Sequence, residues 1–324
     1  MNKRILCLIV VLMMVFALVA CTAPAPAASS APAEGKKYKV AFLNPDQADD
    51  SQGFADKMFV KHAAEFNFEY QGVDAKADPA KQTQDVRNMI AQKVDVIFIN
   101  PNDPVAVAPA LKEAKDAGVL VGIFSSELSP ENQQYRHWMV GANDYNGGKA
   151  AGEAFMKHFP DGAKIVEVGG QAGHDAQVKR HNGFMDAIKG SKIEILETQN
   201  CASWSTDDAM NIMADFIVKY GDKIQGIFCH WDYGFTGCIQ AMKNAKMDFS
   251  KIFSIGVDGS AGGYDQVKAG EQTISLAQSF ETMVIDSYTV ATKALKGEKY
   301  EQQNFIPWVE FNTESIKTID RPEW

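Results

Sequence analysis

One apolar stretch decides the fold, Val94-Asp95-Val96-Ile97-Phe98-Ile99-Asn100. A strand with one face in water alternates apolar and polar residues, whereas this stretch is apolar at every position from Val96 to Ile99. An unbroken apolar run is typical of a parallel strand that helices cover on both faces. A helix is predicted over 105–117, where Gly118 ends it, and a further strand over 119–124. The stretch therefore indicates an α/β fold built on a parallel sheet.

The same alternation of strands and helices runs outward from this stretch through most of the chain. Before it, strands are predicted over 39–43 and 68–73 and helices over 53–66 and 79–92. After it, further strands are predicted over 136–140, 163–168, 193–198, 224–229, 252–257, 273–278 and 305–311. Further helices are predicted over 143–159, 174–189, 205–220, 233–246, 262–269 and 280–295. The pattern predicts two similar doubly wound parallel-sheet (Rossmann-like) domains, with a ligand cleft between them at the carboxyl ends of the strands.

Length and charge narrow the function. The chain has 324 residues, of which 46% are hydrophobic and 23% charged, a composition typical of a soluble globular protein. A chain of this length forms about two domains. Its 41 acidic residues outnumber its 32 basic ones, which gives a net charge of −9. Nucleic acids and anionic lipid surfaces are bound through basic patches, so the charge argues against both as direct partners.

Motifs that would indicate an enzyme or a metal site are missing from the sequence. After residue 21 there is no GxSxG, HExxH, GxxxxGK[ST] or CxxC. Residues 256–262 (GVDGSAG) are rich in glycine, but their spacing is not the GxGxxG of dinucleotide-binding loops. Cys229, His230 and Cys238 offer three zinc ligands without a fourth. We therefore expect no catalysis, no cofactor and no metal.

The N-terminus is predicted to be an export signal. Residues 1–20 carry Lys3 and Arg4 before an apolar run, as signal peptides do. The tetrapeptide LVAC at 18–21 resembles the lipobox of bacterial lipoproteins, in which the cysteine after the cleavage site carries a diacylglycerol. After this lipidated Cys21, a flexible linker rich in Ala, Pro and Ser is predicted to extend to residue 37. We therefore expect the protein on the outer side of a bacterial cell membrane, anchored by lipid. The alternative is an ordinary signal peptide with an incidental cysteine.

Polar and aromatic side chains stand near the ends of several predicted strands. They are Asn100, Ser125, Ser126, Trp204, Trp231, Asp232, Asp258 and Gln278. Because the carboxyl ends of parallel strands share one edge of a sheet, these side chains should meet in the cleft. Indole rings suit the C–H face of a sugar or polyol, and amides and carboxylates bind its hydroxyl groups. Asn100 and Asp258 could instead be helix caps, and the tryptophans could be core residues.

Five segments resemble the periplasmic sugar-binding proteins of ABC importers, of the ribose and galactose type (type I periplasmic binding proteins). They are IFINPND at 97–103, NDYNGGK at 143–149, Arg180 with GF at 183–184, ASW at 202–204 and IGVDG at 255–259. The resemblance covers nearly all of 39–313. It implies a hinge of three crossing segments, near Asn143, 278–280 and 305–308. The first domain would then comprise 38–142 plus 279–305, and the second 143–278 plus 306–324.

The resemblance also implies roles for single residues. Four residues match ligand-contacting positions of the family: Asn100, Trp204, Asp258 and Gln278. His174 and Asp175 resemble the polar pair that precedes the ligand-facing helix, and Phe54 matches the aromatic residue of the first loop.

Three positions depart from the family pattern. Ser125-Ser126 stand where such proteins commonly have Asp-Arg or Asn-Lys, and Trp231 replaces an expected asparagine. Val178 replaces an arginine, which leaves Lys179 and Arg180 as the nearest basic residues. With fewer charged groups and a second indole, a deoxy-sugar, a polyol or another less hydroxylated ligand is favoured over ribose or galactose.

The sequence thus predicts a monomeric, lipid-anchored solute-binding protein that closes on a small neutral ligand and delivers it to the permease of an ABC transporter. A first alternative is a sensory co-receptor that presents the ligand to a chemoreceptor or kinase. A second is a receptor for a non-sugar ligand such as a nucleoside or an autoinducer. A hydrolase acting in the cleft would need a nucleophile or a close carboxylate pair, and the sequence shows neither.

Overall fold

The computed structural model describes residues 35–324. The predicted signal peptide, Cys21 and residues 21–34 of the predicted linker lie outside the described residues. The strands are β1 (Tyr38–Asn44), β2 (Phe68–Asp74), β3 (Val96–Ile99), β4 (Leu120–Phe124), β5 (Trp138–Ala142), β6 (Ala163–Gln171), β7 (Ile193–Cys201), β8 (Gly226–Cys229), β9 (Phe253–Asp258), β10 (Ile274–Ala277), β11 (Gln303–Ile306) and β12 (Val309–Phe311). The α-helices are α1 (Asp50–Ala63), α2 (Pro79–Ala91), α3 (Ala108–Asp116), α4 (Asp144–His158), α5 (Asp175–Ile188), α6 (Thr206–Tyr220), α7 (Asp232–Asn244), α8 (Ala261–Ala269) and α9 (Phe280–Leu295).

The first lobe is built on a six-stranded sheet with the order β11-β5-β4-β3-β1-β2, in which all neighbours are parallel. In β3, Val96 and Phe98 pack into one core cluster with residues of α1 and α9. Ile97 and Ile99 pack into a second cluster with residues of α2 and α3. All four side chains are fully buried, which confirms a parallel strand covered by helices on both faces.

The second lobe repeats this architecture with a sheet of order β12-β10-β9-β8-β6-β7. Helices α4 and α5 cover one face of this sheet, and α6 and α7 cover the other. Four of the five strand pairs are parallel, and β12 runs antiparallel to β10 at the edge. Two similar doubly wound α/β sheets are therefore present, as the sequence predicts.

The prediction of one strand over 305–311 is wrong. The structure has two strands there, β11 in the sheet of the first lobe and β12 in the sheet of the second. Pro307 separates them, because it has no N–H group to donate to a sheet. Trp308 then donates its indole N–H to the carbonyl of Asn143 at 2.9 Å, beside the crossing between β5 and α4. The chain passes between the lobes after β5, after β10 and at Pro307.

Candidate ligand-binding site

A cavity of about 260 Å³ lies between the two lobes and is lined by residues that follow strands of both sheets. This is the position at which open parallel sheets bind their ligands. Nine residues predicted from the sequence line the cavity: Asn100, Ser125, Ser126, His174, Arg180, Trp204, Trp231, Asp258 and Gln278. The tertiary structure therefore brings together residues that lie as far as 178 positions apart in the chain (100 to 278).

Asn100 offers the cavity an unused hydrogen-bonding group. It directly follows β3 and is 4% exposed, and its side-chain oxygen has no hydrogen-bond partner within residues 35–324. Its backbone carbonyl accepts from the amide of Gln82 at 2.8 Å, and the same amide group holds the backbone of Asn102 at 2.8 Å. Asn100 does not cap a helix, since α3 begins only at Ala108. A buried polar atom without a partner costs free energy, so a ligand that bonds to Asn100 gains affinity.

Two cavity residues have backbone conformations that L-residues rarely adopt. Ser125 follows β4 with φ of +66°, and Asp258 ends β9 with φ of +116°. Asp258 does not cap α8, because Ser260 does so by accepting from the N–H of Gly263 at 3.0 Å. Strained backbone of this kind tends to occur at binding sites, where the fold holds a side chain in place at the expense of stability. Both residues project into the cavity lining from strained strand ends.

Arg180 and Asp258 form the charged centre of the site. The Nε of Arg180 donates to Asp144 at 2.8 Å, and one of its terminal nitrogens donates to the carbonyl of His230. Asp258 accepts from the amide of Gln278 at 2.8 Å. Burial raises the pKa of Asp258 well above its usual range, and the charge of Arg180 opposes this shift. The arginine is therefore held by fixed partners and lies beside the carboxyl groups of Asp144 and Asp258.

An aromatic wall closes one side of the cavity. The ring of Trp204 stands edge to face with both His174 and Trp231, with centroid distances of 5.3 Å in each case. Glycines admit both indoles, since a Cβ on Gly170 would lie 2.1 Å from Trp204 and one on Gly234 would lie 2.4 Å from Trp231. Trp231 is 3% exposed, and its indole N–H has no acceptor in the described part of the chain. The wall therefore presents apolar surface together with one unused donor.

His174 is a neutral donor in this wall. Its Nδ1 accepts from the backbone N–H of Ala176 at 3.3 Å, which caps α5. Burial lowers the pKa of His174 to about 4, and the charges of Arg180 and Lys179 contribute to this shift. The ring is therefore uncharged at neutral pH, and since Nδ1 accepts a hydrogen bond, the proton resides on Nε2.

Three of the predicted site residues lie outside the cavity lining. Phe54 instead stacks on Trp324, with ring centroids 5.6 Å apart. Asp175 accepts from the backbone N–H of Glu127 at 3.0 Å and so joins the second lobe to the first. Asp232 is fully buried and accepts from Ser260, Gln272 and Ser275. Burial raises the pKa of Asp232 to about 6. The carboxyl of Asp232 thus organises the second lobe beneath the cavity.

Asp49 and Phe280 are among the cavity-lining residues that sequence reasoning did not identify. Asp49 caps α1 by accepting from the N–H of Gln52 at 3.0 Å. An aspartate directly before a helix indicates a helix cap and does not by itself indicate a cavity residue. Phe280 is the first residue of α9, directly after the chain crosses from the second lobe back to the first. It supplies the aromatic surface of the first lobe that was expected from Phe54. The sequence signal that could have identified Phe280 was its position two residues after Gln278, in the predicted crossing segment 278–280.

Across residues 35–324, no group of three or more His, Cys, Asp or Glu side chains is arranged to hold a metal ion. Cys201, Cys229 and Cys238 are buried free thiols. The thiol of Cys229 donates to the carbonyl of Trp231 at 3.4 Å, and the His230 ring bonds to the buried Glu167 at 2.9 Å. In the same described range, no helix is both long and apolar enough to cross a membrane.

Comparison with known proteins agrees with this geometry. The family model described as periplasmic binding protein domain matches residues 40–299. The ribose import binding protein of Escherichia coli is 28% identical over 74% of this chain and 79% of its own length. The galactofuranose-binding protein of Escherichia coli is 29% identical over 66% of this chain and 70% of its own length.

A solved structure supports the fold independently. The myo-inositol binding protein of Caulobacter superposes with a TM-score of 0.82 at 21% identity, covering 90% of this chain and 98% of the other. These relatives are named as binding proteins, and the family location is extracytoplasmic. The match of sequence, lobes and cavity shows that the chain belongs to the type I periplasmic binding protein family.

Proposed function

We propose that the protein is a lipid-anchored extracytoplasmic receptor that captures a small neutral ligand by hinge closure and delivers it to an ABC permease. The ligand class is a monosaccharide, a deoxy-sugar or a polyol. The observation that carries the proposal is the cavity between the lobes, which unites an unused amide oxygen of Asn100, the carboxyl of Asp258 and the indole wall. The cavity of about 260 Å³ is near the small end of the range for ligand sites, about 300–1,000 Å³, and suits a single ring.

The polarity of the cavity favours a neutral, hydroxylated ligand. Arg180 is already paired with Asp144 at 2.8 Å and lies 3.8 Å from Asp258, so less of its positive charge is available to an anionic group. Asn100 can accept a hydrogen bond, while Trp231 and His174 can donate one. A hydroxyl group satisfies either kind of partner, and the aromatic wall suits a C–H face or a methyl group. The relatives named for ribose, galactofuranose and myo-inositol bind ligands of this class.

Closure follows from the division of these groups between the lobes. Asn100 lies in the first lobe and Asp258 in the second, so a ligand that bonds to both stabilises the closed state more than the open one. The three crossing segments would absorb the rotation as a hinge between the two lobes. The lipid on Cys21 and the linker to residue 37 would hold this monomeric receptor near its permease.

A thermal-shift screen of the purified protein tests the ligand class. The panel contains pentoses, hexoses, deoxy-sugars, polyols and nucleosides. A ligand at about 1,000 times its Kd adds about 4 kcal/mol to the free energy of unfolding, a shift of Tm on the order of 10 °C for lobes of this size. The shift should vanish in Trp204→Ala and persist in Val218→Ala, where the side chain is 88% exposed. A shift only with nucleosides, or none with any sugar or polyol, would contradict the ligand class.

A further inference from the structure

The last residues of the chain bind to the second lobe through their backbone and charged groups. We call residues 312–324 the tail segment. Within it, Arg321 pairs with Asp265 of α8 at 2.7 Å. The backbone N–H of Ala261, at the start of α8, donates to the carbonyl of Trp324. The backbone of the tail segment is therefore attached to the second lobe up to its final residue.

The side chain of Trp324 packs against the first lobe. Its ring stacks on Phe54 of α1 with centroids 5.6 Å apart and an interplanar angle of 20°. It also meets Phe280 of α9 edge to face, with centroids 5.1 Å apart. Both phenylalanines pack with the first-lobe core, and Phe280 also lines the cavity. A single residue thus has its backbone on one lobe and its side chain on the other.

The surface that receives Trp324 is part of the first lobe. Glu281 of α9 accepts from Lys61 at 2.7 Å and pairs with His62 at 2.8 Å, which ties α9 to α1. Separation of the lobes must therefore either pull the Trp324 ring away from Phe54 and Phe280 or detach the tail segment from α8. Either event costs contacts that the closed arrangement keeps.

We propose that Trp324 is a positioning residue that couples the two lobes: it holds the cavity wall at Phe280 and sets how readily the cleft opens. Trp324 does not itself line the cavity and acts through Phe280, which does. The proposal goes beyond the proposed function because it requires no particular ligand.

A second contact between the lobes supplies an independent reporter. The backbone N–H of Glu127, in the first lobe, donates to Asp175 of the second lobe at 3.0 Å. Neither residue shares a ring contact, an ion pair or a hydrogen bond with Trp324. If Trp324 merely fills space beside Phe54, its loss leaves the exchange of this amide unchanged. If it restrains opening, its loss exposes the amide.

Hydrogen exchange of the ligand-free full chain in detergent, read by mass spectrometry, tests the proposal. In Trp324→Ala the peptide that contains Glu127 should exchange on the order of five- to tenfold faster, as expected when aromatic contacts that oppose opening are lost. Trp324→Phe, which keeps an aromatic ring, should restore most of the protection. Phe54→Ala should increase the exchange rate of the same peptide, because it removes the other ring of the contact. Val218→Ala, on an exposed surface of the second lobe, should change nothing.

Two patterns of hydrogen exchange would contradict the proposed role of Trp324. Faster exchange confined to the peptides around Phe54 and Phe280, with Glu127 as protected as in the parent chain, would show a local packing role and overturn the proposal. Peptides of β3 report global unfolding, and an equal acceleration there would also count against it. Neither result bears on the ligand class, which the thermal-shift screen decides.

Discussion

A terminal nitrogen of Arg180 lies 3.8 Å from the nearer carboxyl oxygen of Asp258, close enough for an ion pair but beyond hydrogen-bond reach. Each group is oriented by another partner, Arg180 by Asp144 and Asp258 by Gln278, both at 2.8 Å. The two side chains are therefore held in place without using all their capacity on each other. A site organised in this way before the ligand arrives loses little side-chain entropy on binding.

Replacing Asp258 by asparagine should weaken binding without loss of stability. Asparagine presents one acceptor oxygen where aspartate presents two, and a buried ligand hydroxyl left without its partner costs about 1–3 kcal/mol, so the Kd should rise on the order of 10- to 100-fold. Burial already disfavours the charged carboxyl, as its raised pKa shows, so the Tm of the ligand-free protein should stay equal or rise. Titration calorimetry with the sugar or polyol from the screen measures the first effect. Asp116→Asn, at a carboxyl that is 64% exposed, is the matched control. An unchanged Kd would remove Asp258 from the binding site.

Alanine substitutions at two glycines in helices distinguish the effect of side-chain packing from the effect of helix propensity. Gly234→Ala would place a Cβ 2.4 Å from the indole of Trp231, whereas Gly262→Ala meets nothing closer than 3.5 Å. Overpacking costs about 1–3 kcal/mol, so Gly234→Ala should lower the Tm and weaken ligand binding by displacing Trp231. Gly262→Ala should be neutral or stabilise by up to about 1 kcal/mol. Equal effects of the two substitutions on binding would contradict this assignment of Gly234.

The stability of the protein should depend on pH through His174. The pKa of His174 is about 4 in the folded protein, against an ordinary value of 6.5 that applies to the unfolded chain. As the pH falls, the unfolded chain therefore binds the proton before the folded protein does. The free energy of unfolding should therefore decrease between pH 6.5 and pH 4, by about 3 kcal/mol at most from this residue. His174→Asn keeps a helix cap but cannot titrate, so it should lose less stability over the same window. Denaturant titrations of both proteins at several pH values measure the difference, and parallel curves would disprove the role.

Lipid attachment at Cys21 can be tested directly. Cells that express the protein should incorporate labelled fatty acid into the parent chain and not into Cys21→Ser, and the variant should leave the membrane fraction. Cys201→Ser is a suitable control, because this thiol is buried in the second lobe. No labelling of the parent chain would leave an ordinary signal peptide as the explanation of residues 1–20, and equal labelling of Cys21→Ser would place the lipid on another residue.

Much of the fold followed from local patterns, and the errors have local causes. The unbroken apolar run of β3 predicted its double cover by helices, because burial on both faces requires apolar residues at every position. The strand predicted over 305–311 divided at Pro307, because the missing N–H interrupts a ladder that side-chain pattern alone would continue. Asp49 was overlooked because the helix was predicted to begin at residue 53, whereas α1 begins at Asp50, directly after Asp49.

By itself, the sequence determined that the chain forms two parallel-sheet lobes and that polar residues collect at the strand ends, because periodicity and strand direction are local properties. The tertiary structure alone decided which of these residues face the ligand. Trp231 and Asp232 are neighbours in sequence, yet the indole lines the cavity while the carboxyl is bound by Ser260, Gln272 and Ser275. The place of Phe54 was likewise decided by Trp324, 270 residues further along (54 to 324), since a contact between such distant residues depends on how the lobes close.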